Sequence, residues 1–151
     1  MKIQRMDNLE PRYVWCGAKG LETRMLGEAA GSERLYVNVD TVPPGAFSTK
    51  YHSHSRQEEF FLILSGSGTV RMNDGEYAVS SGDCIAKPAG RGIAHQFYND
   101  GNVPLVILDA GTVECGDTVN YPDEGVQLEK WGEARRIYGA DDGWSSDPNE
   151  G

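Results

Sequence analysis

Three histidines and one glutamate are the residues of this sequence with the clearest capacity for chemistry. His52 and His54 are separated by one residue, so in a β-strand both imidazoles point to the same face. Glu59 begins the next apolar segment. His95 lies in a later segment, where the alternation of side chains along a strand allows its imidazole to point inward. If these strands are neighbours, three imidazoles and a carboxylate converge. Such a set binds one divalent transition metal (Fe, Mn, Ni or Zn), and an octahedral ion would keep two positions open for catalysis.

A purely structural role is the competing interpretation. A single histidine in an apolar strand is most often a satisfied core or surface residue, but the combination of all three histidines with Glu59 favours a metal site. Glu58 is the competing carboxylate, and as the direct neighbour of Glu59 it points to the opposite face of a strand. We therefore predict Glu59 as the ligand.

The elements that must position these residues are short β-strands. Glycine accounts for 19 of 151 residues, which fits many tight turns better than a helical bundle. The Asp74-Gly75 pair predicts a hairpin with a primed turn, and one short helix or turn is expected at 126–137. The β-rich segments recur at the spacing of a sandwich or barrel: 35–42, 46–54, 59–64, 69–72, 76–79, 84–87, 93–98 and 105–109.

The segment 59–64 is apolar on both faces, so both faces must be covered. Two elements are candidates to cover its outer face. One is an N-terminal strand at 12–16, and the other is a second copy of the chain. The second alternative predicts a homodimer.

The charge balance disfavours several classes of partner. Lys and Arg total 14 and Asp and Glu total 23, so the net charge is −9, which disfavours binding to nucleic acid or to an anionic membrane surface. The sequence also contains no apolar run long enough to cross a bilayer. Its three cysteines are an odd number at wide spacings, which indicates free thiols. We therefore expect a cytoplasmic protein whose partner is a small molecule.

The spacing of these residues resembles the two sequence motifs of the cupins, a family of small jelly-roll barrels. The first motif is Gly, five residues, His-x-His, three or four residues, Glu, six residues, Gly. The matching residues are Gly45, His52, His54, Glu59 and Gly66, with an opening gap of six. The second motif is Gly, five residues, Pro-x-Gly, two residues, His, three residues, Asn. The matching residues are Gly82, Pro88, Gly90, His95 and Asn99, with a gap of four before the histidine.

The resemblance covers roughly residues 35–110 and implies a fold. It implies an all-β double-stranded β-helix, the jelly-roll cupin barrel, with little helix. The barrel core is expected at 34–112, after an N-terminal extension at 1–33 that includes the candidate covering strand. A C-terminal extension follows at 113–151, and its acidic end is expected to be loose. The resemblance also implies that the three histidines and Glu59 hold a metal at the mouth of the barrel.

The alternation of side chains between the two faces of a strand indicates which residues could line a pocket around this metal. Most of them are apolar inward neighbours of the predicted ligands, and Tyr36 is a same-face candidate from an earlier strand. Lys50 could hold an anionic substrate group, although a solvated lysine is the simpler interpretation. The predicted pocket residues are Lys50, Phe61, Ile63, Ile93, Phe97 and Tyr36.

Two functions of different classes are compatible with this resemblance. The first is a metal-dependent enzyme acting on a small organic molecule, either dioxygenase-like with Fe(II) or isomerase-like with Mn, Ni or Zn as a Lewis acid. The second is a non-catalytic cupin that binds or senses a small ligand such as a sugar or a carboxylate. The sequence nominates no dedicated general base, and a fold alone does not decide between these functions.

Overall fold

Strands dominate the computed structural model, which describes residues 2–15 and 17–150. Within that range the helical segments are a 3-10 turn at Met6–Asn8 and one short helix, α1 (Leu26–Ala30). The strands are β1 (Arg12–Tyr13), β2 (Glu22–Met25), β3 (Leu35–Val42), β4 (Ser53–His54), β5 (Glu59–Ser65), β6 (Ser67–Met72), β7 (Gly75–Ser80), β8 (Cys84–Lys87), β9 (Gln96–Tyr98), β10 (Leu105–Thr112), β11 (Asp117–Tyr121), β12 (Val126–Trp131) and β13 (Ala134–Tyr138).

These strands form three antiparallel sheets. One has the order β1-β2-β3-β10-β5-β8, a second has the order β7-β6-β9, and a third has the order β13-β12-β11-β4. Strands distant in sequence are neighbours, since β10 pairs with both β3 and β5. The predicted all-β jelly-roll fold is confirmed.

The main hydrophobic core lies inside the barrel, between the first two sheets. Alternate residues of β5 and β10 supply it, as the period of two in a strand requires. Phe61 and Ile63 from β5 pack with Leu105 and Ile107 from β10, and Phe97 comes from the opposite sheet. All five are almost completely buried. This core fixes the inward parity of the strands that carry the site.

The hairpin predicted around Asp74-Gly75 is present, but its turn begins one residue earlier. β6 and β7 pair directly, with Met72 opposite Gly75, so Asn73 and Asp74 form the connection. Gly75 has a φ of +148°, whereas no described non-glycine residue has a positive φ. The glycine therefore takes the unusual backbone conformation as the first residue of β7, and Asp74 does not adopt the primed-turn geometry.

The outer face of β5 is partly open to solvent. Phe60 is 41% exposed and Leu64 is 39% exposed. The covering strand predicted at 12–16 does not lie over them, because β1 pairs with β2 at the far edge of the same sheet. Position 16 of that prediction lies outside the described residues.

The C-terminal region forms strands where the sequence predicted a helix. Residues 126–137 contain most of β12 and β13, which pair through Leu128 and Ile137. Val119, Tyr121, Val126 and Leu128 form a second apolar cluster. Cross-strand packing thus outweighs the weak helical signal, which Gly132 interrupts at the turn. Within the described residues, no helix is long and apolar enough to cross a membrane.

Candidate metal centre

Three of the four predicted metal ligands converge at one point. His52 lies just before β4 and forms a β-bridge with His95, His54 is the last residue of β4, and Glu59 is the first residue of β5. Donor atoms of His52, His54 and Glu59 all lie within 4.8 Å of one another. Each of these side chains is buried. The His-x-His spacing therefore does bring two imidazoles and a carboxylate together.

Hydrogen bonds to the outer ring nitrogens hold both imidazoles in place. His52 Nδ1 lies 2.7 Å from the backbone oxygen of Lys50, and His54 Nδ1 lies 2.6 Å from Asp117 Oδ2. Because Nδ1 donates in each case, Nε2 is the nitrogen left for a ligand. Metal-binding histidines in proteins commonly have such an oxygen acceptor behind the ring.

Asp117 is itself held rigidly behind His54. Its Oδ1 accepts the backbone N–H groups of Arg56, at 2.8 Å, and Gln57, at 3.2 Å. The residue is 1% exposed. These contacts leave Oδ2 directed at the imidazole, so Asp117 fixes the orientation of the ring.

A buried lysine lies between Glu59 and His95. Lys87, at the end of β8 and directly opposite Glu59 in the sheet, donates to Glu59 Oε2 at 2.6 Å and to His95 Nδ1 at 2.7 Å. Since His95 Nδ1 accepts this bond, the neutral imidazole carries its hydrogen on Nε2. His95 therefore lies beside the three-donor cluster and outside it. Its role as a fourth ligand stays a prediction.

The donor chemistry of the cluster fits a divalent transition metal. Two imidazole Nε2 atoms and one carboxylate are the set that leaves several positions of an octahedral ion open. The electrostatics agree, because burial lowers the pKa of His52 to about 3, assisted by the charge of Lys87. Burial alone would raise the pKa of Glu59, but the hydrogen bond from His54 and nearby positive charges lower it well below its usual range. Both groups are thus in their ligand forms at neutral pH.

His54 is the one donor of the three that must lose a proton to bind a metal. Burial opposes its charge, but hydrogen bonds to Asp117 and Glu59 outweigh this effect and raise the pKa of His54. Its Nε2 lies 3.4 Å from Glu59 Oε1. The metal-free site therefore favours an imidazolium at the position where a metal would bind.

We predict that metal affinity depends on pH through His54. Below the raised pKa of His54, each bound ion displaces one proton, so affinity should increase about tenfold per pH unit and then become constant. Competition titrations with Zn(II) between pH 5 and 9 would measure this curve. A flat curve over the whole range would contradict the assignment of His54 Nε2 as a metal donor.

Asp117→Asn should weaken metal binding between about tenfold and a hundredfold, because the group that orients and polarises His54 loses its charge. The measurement is the affinity for Zn(II) at fixed pH. Asp123→Asn is the matched control, since Asp123 pairs with Arg71 on the surface. Equal affinities for the two variants would show that Asp117 has no part in the site.

An open pocket of about 300 Å³ leads from solvent to the three donors. Of the predicted pocket residues, Tyr36 and Lys50 line it. A smaller cavity of about 50 Å³ lies deeper, against His52, Glu59 and His95, and Phe61 and Phe97 line that one. The described pocket is more polar than the sequence predicted, because Asn38, Gln57, Asp109, Tyr121 and Lys130 also contribute to its wall.

Ile63 and Ile93 line neither of these two cavities. Ile63 does point inward, but it lies further along β5 than Glu59 and packs in the hydrophobic core. Ile93 precedes β9, which begins only at Gln96, so strand parity does not apply to it. A role for Ile63 and Ile93 in a substrate pocket therefore stays a prediction.

A chain of oxygen groups connects the pocket wall to the donors. The Tyr36 hydroxyl donates to Asp109 Oδ1 at 2.8 Å and lies 3.3 Å from Glu59 Oε1. Burial, followed by the charges of Asp109 and Glu59, raises the pKa of Tyr36 far above its usual range. Tyr36 therefore keeps its proton and acts as a hydrogen-bond donor.

Behind Tyr36, two half-buried carboxyl groups lie close enough to affect each other's pKa. Asp40 and Asp109 lie on the adjacent strands β3 and β10, and burial raises the pKa of both. The charge of Asp40 raises the pKa of Asp109 further. Two carboxylates in contact cannot both be ionised without a large energetic cost, so the pair retains a proton.

Sequence reasoning missed Lys87, Asp117, Asp109 and Lys130. The inward direction of Lys87 could have been predicted, because Ile85 and Lys87 are two residues apart in one strand and therefore point to the same face. Ile85 packs against the core. Asp117 is 63 residues from His54, and its position after Gly116 is equally typical of a turn. No local pattern could connect it to the site.

Comparisons with known proteins place this chain in a family. The sequence profile of the cupin domain matches residues 38–111. A proposed sugar phosphate isomerase from Acidithiobacillus ferrooxidans is 31% identical, and its structure has a TM-score of 0.76 over 80% of this chain and 76% of that chain. The chain is a cupin.

Other similar proteins agree with this assignment. A sugar phosphate isomerase of the cupin superfamily from Silicibacter pomeroyi is 28% identical, with a TM-score of 0.83 over 91% of this cupin and 92% of that chain. A mannose-1-phosphate guanylyltransferase from Klebsiella pneumoniae is 35% identical over 77 residues, which are 50% of this cupin. That match spans only 16% of the transferase. A separate match, 35% identical over 70 residues, spans 54% of an uncharacterised protein from Methanocaldococcus jannaschii.

Proposed function

We propose that this cupin is a metal-dependent isomerase acting on a small sugar-like molecule. The observation that carries the proposal is the convergence of two imidazole Nε2 atoms and a carboxylate at an open pocket. Two similar structures, which cover 80% and 91% of the chain, are described as a proposed sugar phosphate isomerase and a sugar phosphate isomerase. Their names support this reaction class for the present chain.

The metal would be held by His52, His54 and Glu59. When bound, it supplies Lewis-acid polarisation of a substrate oxygen. Asp117 and the carbonyl of Lys50 keep the two imidazoles aligned. Buried Lys87 holds the second oxygen of Glu59, so the carboxylate presents one oxygen toward the imidazoles.

Isomerisation of a sugar moves a proton between neighbouring carbons and needs no net change of atoms. Asp109 lines both the open pocket and the deeper cavity, so it is positioned to take a proton from one carbon and return it to the next. Burial, followed by the charge of Asp40, raises the pKa of Asp109 above the usual range, which suits a group that must both accept and donate. Tyr36 can donate its O–H to a substrate oxygen at the same wall.

The test is an assay of aldose and ketose phosphates with the protein loaded in turn with Fe(II), Mn(II), Ni(II) or Zn(II). Interconversion is followed by NMR. Turnover that requires metal and disappears in His52→Ala supports the proposal. Saturable binding without turnover for every pair tested would overturn it and favour a non-catalytic cupin that binds or senses a small sugar or carboxylate.

A second candidate is a dioxygenase, because two histidines and one carboxylate with open positions are the donor set of non-haem Fe(II) oxygenases. This reaction consumes O₂, whereas isomerisation does not. An oxygen electrode with the Fe(II)-loaded protein and a panel of catechols and keto acids separates the two. Substrate-dependent O₂ uptake would favour the dioxygenase.

We also propose that the protein is a homodimer through the outer face of β5. Phe60 and Leu64 are large, apolar and exposed there, and the N-terminal strands lie at the other edge of the sheet. Light scattering coupled to size exclusion should give twice the chain mass, and Phe60→Glu/Leu64→Glu should give the monomer. A wild-type monomer at all concentrations would contradict this proposal.

A further inference from the structure

The outer wall of the pocket comes from strands beyond the part of the chain that matches the cupin domain. That match ends at residue 111, whereas β11 and β12 contribute Val119, Tyr121 and Lys130 to the wall. The first of these strands, β11, also begins with Asp117, which orients His54. The sheet β13-β12-β11-β4, called the C-terminal sheet below, therefore both supports the metal donors and faces a ligand that enters the pocket.

Lys130 points into this pocket from β12. It is paired across the sheet with Asp117 and has the same parity as Leu128 and Val126, which are buried on that face. Lys130 is half-buried. Burial and the nearby charge of Arg135 lower the pKa of Lys130, so its surroundings do not stabilise the positive charge.

Among residues 2–15 and 17–150, Lys130 Nζ takes part in none of the ion pairs or side-chain hydrogen bonds, whereas Lys50 and Lys87 take part in both. The carboxylate opposite, Asp117, is already occupied by His54 and by backbone N–H groups. A partly buried ammonium normally has a partner, because removing the charge from water is costly. This one faces a pocket instead.

Lys50, the other lysine of the pocket, is different. Its Nζ lies 2.7 Å from Glu124 Oε1 and over the ring of Trp144. The sequence offered Lys50 as a possible anion-binding residue, with a solvated lysine as the simpler interpretation, and in the structure its charge is already paired. Lys130 is thus the pocket lysine whose charge is available to a ligand.

The pocket wall also has hydroxyl groups without partners. Thr49 Oγ1 is buried and makes no hydrogen bond within the described chain. Burial raises the pKa of Tyr121 to about 12, so its hydroxyl keeps its proton and can donate. Both residues line the pocket with Lys130. A ligand with several oxygen atoms would satisfy these groups together.

We propose that Lys130 binds an anionic group of the substrate, a phosphate or a carboxylate, while the hydroxylated part of the same molecule reaches the metal donors. This inference rests on the proposed function, since it concerns the same pocket. It assigns substrate recognition to the C-terminal sheet and catalysis to the barrel. An ammonium and hydroxyl donors are the groups that bind such anions.

The test measures binding of four probes to the metal-loaded protein by calorimetry and thermal shift: glucose 6-phosphate, gluconate, inorganic phosphate and glucose. Lys130→Met should weaken the binding of anionic probes about tenfold or more, the loss expected for one charged hydrogen bond. Lys130→Arg should retain most of the affinity, because it keeps the charge. Lys19→Met is the control and should change affinity little, because Lys19 is exposed and does not line this pocket. Preference for phosphate over gluconate would identify the anionic group.

Several results would overturn this assignment. They are a wild-type protein that binds none of the three anions, equal effects of Lys130→Met and Lys19→Met, or equal loss for glucose and for glucose 6-phosphate. Metal content per chain, measured in every variant, distinguishes a damaged metal site from a lost anion contact. If the isomerase proposal alone fails, anion binding still depends on Lys130 but no turnover is seen. If the anion site alone fails, turnover is the same in Lys130→Met and wild type.

Discussion

Lys87→Met should lower the free energy of unfolding of the metal-free protein by about 3 to 5 kcal/mol, the usual cost of removing one partner from a buried ion pair. The Lys87 side chain is 3% exposed and its ammonium lies 2.6 Å from Glu59 Oε2. Without it, the buried carboxylate keeps His54 as its charged neighbour, at 3.4 Å, but loses the shorter ion pair to its other oxygen. Urea unfolding followed by tryptophan fluorescence measures the change.

Two further measurements make this prediction specific. Lys50→Met removes a partly exposed ion pair with Glu124 and should cost about 1 kcal/mol or less. A bound divalent cation would replace the missing charge beside Glu59, so metal should restore part of the stability of the Lys87 variant. Equal losses for the two lysine variants would contradict the role given to Lys87.

Asp109→Asn should reduce turnover about a hundredfold or more while metal content stays the same. An amide cannot carry the proton that isomerisation moves, and Asp109 contacts Glu59 only through Tyr36. The measurement is kcat for sugar phosphate interconversion, with metal per chain as a parallel readout. Asp100→Asn is the control, because Asp100 accepts from Thr69 at the surface.

Asp40→Asn tests the same carboxyl pair without removing Asp109. The charge of Asp40 raises the pKa of Asp109, so its loss should lower that pKa and shift the acidic limb of the pH profile to lower pH. A merely structural role for Asp40 would lower activity without moving the limb. Unchanged turnover in Asp109→Asn would remove Asp109 from the mechanism.

The sequence allowed much of the site to be predicted because strand parity is a local property. His52 and His54 needed only an extended backbone to share a face, and Glu59 needed only to begin the neighbouring apolar strand. The structure brings these three together. His95 has the predicted inward direction, but Lys87 binds its Nδ1. That contact depends on the pairing of β5 with β8, which the alternation of residues along a single strand does not determine.

The C-terminal region shows where local reasoning stops. Residues 126–137 have weak helical character, and their strand structure depends on pairing between β11, β12 and β13. The looseness predicted for the end of the chain stays a prediction. In the structure, the Asn149 side chain hydrogen-bonds to the backbone of Phe47, and Trp144 packs on Tyr121. Contacts across such sequence distances cannot be deduced from composition alone.

The most direct test of the central claim is elemental analysis of the protein purified without a histidine tag. We expect about one transition metal ion per wild-type chain, because folded donors bind such ions tightly. The His52→Ala/His54→Ala double variant should contain none. A wild-type protein that holds no metal even after reconstitution with Fe(II), Mn(II), Ni(II) or Zn(II), or a double variant that holds as much as wild type, would contradict the account.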